Sequence, residues 1–212
     1  MATKRRTGRG FTLLEILIAA SVLTIFLTGV YRVYRGVARS FQQTSWSLAM
    51  QTEARNGLTF LREEMQRASY KTTISIASVV IEDSKMMKIR SGTTQSDAVL
   101  AEWYIGIPFR TDTPSTGACF KSSVAFSGGK LVYTKTLDSG TNTGEPLFNG
   151  KVLMQNLASV TLALEPFDID DASGTKLVNI IVELRHPMRE QYPNTKVIER
   201  TAAKVDVKVE EL

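Results

Sequence analysis

Residues Phe11–Tyr31, FTLLEILIAASVLTIFLTGVY, form a continuous apolar run in which Glu15 is the one charged side chain. At about 1.5 Å per residue, a helix of this length covers about 31 Å, close to the hydrocarbon thickness of a bilayer. The run can therefore span a membrane. Lys4, Arg5, Arg6 and Arg9 precede it, and Arg32 and Arg35 follow it. That balance favours keeping the short N-terminal segment in the cytoplasm and the bulk of the chain outside it.

A secretory signal peptide is the rival reading, with cleavage near Ala19-Ala20-Ser21. It fits poorly, because the apolar region before that site would be only about eight residues long and would be interrupted by Glu15. The run also continues well past the site. Charge points the same way. The chain has 26 basic and 21 acidic residues, and removing the four bases of residues 1–10 leaves 22 against 21. The remainder is near neutral, which argues against a sequence-independent nucleic-acid binder.

Glu15 is the informative exception in the run. A carboxylate in an apolar span costs free energy, on the order of 2–3 kcal/mol near the helix centre even on lenient scales, and such residues usually have a partner. Once helices bundle and exclude water, the need for a cation or donor becomes acute. Cleavage after Gly10 would create such a cation, the α-amine of Phe11.

The basic segment, then Gly10-Phe11-Thr12-Leu13-Leu14-Glu15 and the apolar run, resembles the class III signal of type IV prepilins and type II secretion pseudopilins. The resemblance implies that a prepilin peptidase cuts between Gly10 and Phe11 and methylates the Phe11 amine. It also implies that Glu15 guides assembly by pairing with the Phe11 amine of a neighbouring subunit. The implied partners are the peptidase, other minor and major pilins or pseudopilins, and an inner-membrane assembly platform. The chain would be single-pass in the inner membrane, N-terminus cytoplasmic and C-terminal domain periplasmic, and would enter a filament on assembly. Arg55–Ala68, with the later Trp103-Tyr104, Gly129–Tyr133 and Val152–Leu157, is similar to J-type minor pseudopilins and W-type minor pilins.

The expected fold is α+β and pilin-like, a long N-terminal helix whose first half is transmembrane, packed on a largely antiparallel β-sheet domain. Residues 1–10 form the leader, 11–31 the span, 32–70 the amphipathic continuation of the helix and 71–212 a β-rich periplasmic domain. No proline interrupts Arg32–Tyr70, and Leu48, Ala54, Leu58, Leu61, Met65 and Ala68 fall near a three-four spacing. If Thr12 to about Ser69 is one helix, it is roughly 87 Å long. Gly29, Gly36 and Gly57 are places where it could bend, and Arg62-Glu63-Glu64 reads as a solvated face. Beyond residue 70, Ile74–Ile81, Met86–Ile89, Val99–Ile105, Lys130–Lys135, Val152–Leu164, Leu177–Leu184 and Val197–Val209 read as strands separated by glycine and proline turns.

Catalytic signals are weak. The single cysteine, Cys119, cannot form an intramolecular disulfide, and no motif joins it to the single histidine, His186. The reading is a buried thiol and an ordinary surface or strand-end histidine. No phosphate-binding glycine loop is present, no cofactor is expected and the chain reads as a non-enzyme. Asp168, Asp170 and Asp171 offer carboxylates of a kind calcium favours, but their spacing departs from the EF-hand loop and Asp-rich turns form readily without metal. The segment Arg110–Thr116 shows turn chemistry alone.

The functional expectation is a minor pilin or pseudopilin, a structural subunit of a type II secretion pseudopilus or type IV pilus in a tip or initiation complex. The alternative is a pilin-anchored adhesin or DNA-uptake receptor. That would require Lys121, Lys130, Lys135, Lys151, Lys176, Lys196 and Lys204 to converge in space.

Overall fold

The computed structural model describes residues 11–68, 72–75, 78–81, 87–107, 118–142, 144–166, 176–188, 190, 192–205, 207 and 209–212. Among the described residues, one helix, α1 (Leu13–Gln66), precedes twelve strands. Two compact units divide the chain at Ser45/Trp46. The first contains the apolar run and the second the sheets.

The end of α1 in the second unit buries Ala54, Leu58, Leu61 and Met65, the three-four stripe expected from the sequence. Leu48, expected in that stripe, is 59% exposed instead. Gly57 is a point of contact. A Cβ placed there would lie 2.8 Å from Met154 Cε and 2.9 Å from the Leu153 carbonyl oxygen, so the missing side chain lets helix and strand approach closely.

Among the described residues the strands form three sheets. β1 (Thr72–Ser75) and β2 (Ser78–Ile81) make an antiparallel pair. A six-stranded sheet contains β3 (Met87–Ile89), β5 (Ala98–Ile107), β6 (Ala118–Ser127), β7 (Lys130–Ser139), β8 (Phe148–Met154) and β12 (Val209–Glu211), in the order β12-β3-β5-β6-β7-β8. A four-stranded sheet is ordered β11-β10-β9-β4, from β4 (Gly92–Thr94), β9 (Leu157–Pro166), β10 (Lys176–Arg185) and β11 (Lys196–Val205). Pairing is antiparallel except between β12 and β3.

Alternation decides which side chains enter the core. In β10, Val178, Ile180, Val182 and Leu184 are buried while Ile181 is exposed. Buried residues of α1 and both larger sheets form one continuous cluster centred on bulky groups such as Trp103, Phe120 and Tyr133.

Two expected strands are each divided between sheets. Val152–Leu164 breaks at Gln155-Asn156, where Asn156 adopts φ 58°, and the chain passes from β8 in one sheet to β9 in the other. The corner is held from several sides. The Gln155 amide donates to Glu53 Oε1 at 2.9 Å, the Leu157 amide to the Gly129 carbonyl at 2.9 Å, and the Arg185 amide to the Asn156 carbonyl at 2.9 Å. Val197–Val209 likewise ends one sheet as β11 and joins the other as β12.

Candidate processing and assembly site

Phe11 is 83% exposed, and Gly10, the other side of the expected cleavage point, lies outside the described residues. Thr12 and Glu15 form a reciprocal cap at the start of α1. The Thr12 amide donates to Glu15 Oε2 at 2.9 Å, the Thr12 hydroxyl lies 3.1 Å from the same oxygen, and the Glu15 amide reaches Thr12 Oγ1 at 3.3 Å. This is the S/T-x-x-E capping box, which satisfies amides that the first helical turn leaves without partners. A carboxylate near the helix N-terminus is also favoured by the helix dipole. Sequence reasoning passes over Thr12, although its spacing to Glu15 is the signature that finds it.

The polar groups of the run are satisfied along the helix. Ser21, Thr24 and Thr28 donate their hydroxyls to the carbonyls of Leu17, Ala20 and Thr24 at 2.8–2.9 Å. Such bonds leave few hydrogen-bonding groups to solvate in lipid. α1 is long and apolar enough to cross a membrane, and its most apolar stretch has no residue buried within the chain. An exposed apolar surface of this extent requires lipid or other helices to cover it.

The second polar constellation lies at the other end of α1. Glu64, expected on a solvated face, is buried instead. Its carboxylate accepts from the Tyr133 hydroxyl at 2.6 Å and pairs with Arg67 at 2.9 Å, and its backbone carbonyl accepts from Trp103 Nε1 at 3.1 Å. Lys135, with 0% of its side chain exposed, lies 2.6 Å from Glu145 and 3.6 Å from Glu64. Arg67 also reaches Glu145. Two carboxylates and two cations thus compensate one another, which is what makes burial of Lys135 tolerable.

The network shifts its members in ways that follow from these contacts. Burial pushes the Tyr133 phenol up, and its hydrogen bond to Glu64 pushes it further. Burial alone would raise Glu145, but hydrogen bonds from Lys135 and Arg67 overcome this and lower it. Burial likewise opposes the charge on Arg67, and the two carboxylates outweigh it, so Arg67 is raised.

Cys119 and His186 do not come together as a catalytic pair. Cys119 is buried in β6 of the six-stranded sheet, whereas His186 follows β10 of the four-stranded one. His186 does stand at a strand end, but it is buried rather than on the surface. Its ring lies 4.8 Å from that of Trp46 and 4.5 Å from that of Tyr192, and its Nδ1 accepts from the Met188 amide at 3.1 Å. A cleft of about 250 Å³ beside it is lined by residues 128–130, 155–157 and 185–187, and its Arg185 is paired with Glu183. Among the described residues, no group of three His, Cys, Asp or Glu side chains could hold a metal. Asp168, Asp170 and Asp171 lie outside the described residues, as does Arg110–Thr116.

The lysines that a DNA receptor would need do not all converge. Lys135 is consumed in the buried network, Lys121 pairs with Glu102 at 3.1 Å, and Lys151 lies over the Phe60 and Phe148 rings. Lys176 and Lys204 stand at one end of the β10–β11 pair and Lys196 at the other. At ~3.3 Å per residue, those ends are about 30 Å apart.

Together, the apolar N-terminal helix and the sheet domain define an α+β, pilin-like protein. Residues 5–31 match the family model of the prokaryotic N-terminal methylation motif, the hallmark of the type IV pilins and pseudopilins that prepilin peptidase processes. Neither the comparison with curated proteins nor that with solved structures finds a match. The motif implies processing by prepilin peptidase and assembly with other pilins.

Proposed function

We propose that this chain is a minor pilin or pseudopilin, a structural and non-catalytic subunit in the tip or initiation complex of a type II secretion pseudopilus or a type IV pilus. It is cut between Gly10 and Phe11, methylated on the new Phe11 amine and held in the inner membrane by residues 11–31. The domain of residues 71–212 lies in the periplasm. Glu15 pairs with the Phe11 amine of an adjoining subunit when water is displaced from the helix bundle. The work done is mechanical: the subunit joins partner minor subunits through its helix and primes a filament that other components extend.

The methylation motif over residues 5–31, continuous with an exposed apolar helix, carries this reading. A sheet domain with strands in two larger sheets supports a minor rather than a major subunit, since major subunits are usually shorter. Intact mass and N-terminal sequencing of the protein from its native membrane test it. A chain beginning at N-methylated Phe11 is expected; one beginning at Met1 or near Ser21 overturns it.

A further inference from the structure

Between Ile16 and Thr52 the chain has no acidic residue, yet Arg32, Arg35 and Arg39 follow directly on the apolar run. They are three and four residues apart, so they share one face of α1, and all three are exposed. None has a hydrogen bond or ion pair among the described residues. Arg55, further along the same helix, pairs with Glu199, and Arg67, just past the helix end, pairs with Glu64 and Glu145. Three exposed cations on one stripe without counter-ions are available to anions from outside the chain. Tyr31 and Tyr34, 63% and 71% exposed, stand at the same junction. Tyrosine is the side chain enriched where hydrocarbon meets headgroup.

We propose that Arg32, Arg35 and Arg39 form a cationic collar that binds bilayer lipid phosphates at the far end of the span, taking anionic lipids ahead of zwitterionic ones. The proposal rests on the reading of residues 11–31 as a membrane span. That run covers about 31 Å, so Arg32 emerges where the hydrocarbon ends, and Arg39 lies about 10 Å further along the axis. The headgroup layer extends about 5–7 Å beyond the hydrocarbon, so arginine side chains, about 7 Å long, reach its phosphates from all three positions, and their planar forks match phosphate oxygens. Continuity with the span favours lipid over an acidic protein, because a crossing helix places these groups in the headgroup layer before any subunit arrives.

The test reconstitutes full-length protein in phosphatidylcholine vesicles with a trace of spin-labelled phosphatidylglycerol or spin-labelled phosphatidylcholine. The lipid fraction immobilised by the protein is then compared. Because the leader bases would also attract anionic lipid, every protein carries K4Q, R5Q, R6Q and R9Q. The parent should prefer phosphatidylglycerol roughly fivefold or more, with the preference weakened by salt and reduced to near unity by R32Q/R35Q/R39Q. No preference in the parent, or one unchanged in the triple variant, overturns the collar. The collar is equally overturned if the triple variant keeps its lipid preference but no longer co-purifies with acidic filament subunits. Carbonate extraction of the same vesicles distinguishes a deeper failure: protein released by carbonate refutes the span itself, and the collar with it.

Discussion

At the level of single residues, Glu15 has two duties that its charge alone does not separate. In the isolated chain it closes a capping box with Thr12, and in the proposed filament it pairs with an amine of another subunit. Glutamine at the third helical position also serves a capping box, whereas valine cannot. Both Glu15→Val and Glu15→Gln should leave cleavage after Gly10 intact. If the ionic pair governs assembly, both variants fail to enter filaments, as read by immunoblotting of sheared fractions. Normal incorporation of Glu15→Gln would show that the cap, rather than the charge, is what assembly requires. The position of Glu15 in an apolar run is plain in the sequence. Its partner Thr12 is harder to see, because the cost of a carboxylate in lipid points to a cation and not to a threonine three residues away.

The elements show where local pattern suffices and where it does not. The three-four stripe of α1 is legible because Ala54, Leu58, Leu61 and Met65 are apolar and correctly spaced. Gly57 reads as a possible bend, yet it is the surface against which β8 rests. Gly57→Ala should therefore lower stability by about 1–3 kcal/mol through overpacking, despite alanine's helix preference of about 1 kcal/mol. Gly36→Ala meets nothing within 4 Å and serves as the control. Denaturant unfolding of the detergent-solubilised protein should separate the two, and equal stabilities would refute the packing role. Strand β6 escapes sequence reading for a related reason. Its Lys121-Ser122-Ser123 centre looks like a loop, but Ser122 is buried and bonded to the Tyr133 hydroxyl at 3.1 Å. A polar residue suits a sheet interior when a neighbouring strand supplies its partner.

For the sheet domain as a whole, the cluster of Glu64, Arg67, Lys135 and Glu145 joins α1, β7 and the segment after β7. Because the folded pKa of Glu145 lies below its ordinary value of 4.5, the unfolded chain takes up the proton first. The stabilisation is therefore present above about pH 4.5 and is lost as pH falls through the folded value. Thermal unfolding should show a falling midpoint below that pH. Glu145→Gln should be less stable at neutral pH, because Lys135 loses its nearest anion, and should show a shallower acid decline. A variant whose acid decline matches the parent's would remove Glu145 from the account.

Features that depend on short-range order are written in the chain directly. A long apolar run sets a helix long and apolar enough to cross a membrane, a glycine-phenylalanine junction and a glutamate set the methylation motif, and alternating branched residues set most strands. The burial of Lys135 and Glu64, the close approach at Gly57 and the passage of one apparent strand into two sheets at Asn156 emerge only once the chain is folded. Each of these depends on partners distant in sequence. A charged side chain reads as solvated until an opposite charge is folded against it, and a glycine reads as flexible until another backbone occupies its missing side chain.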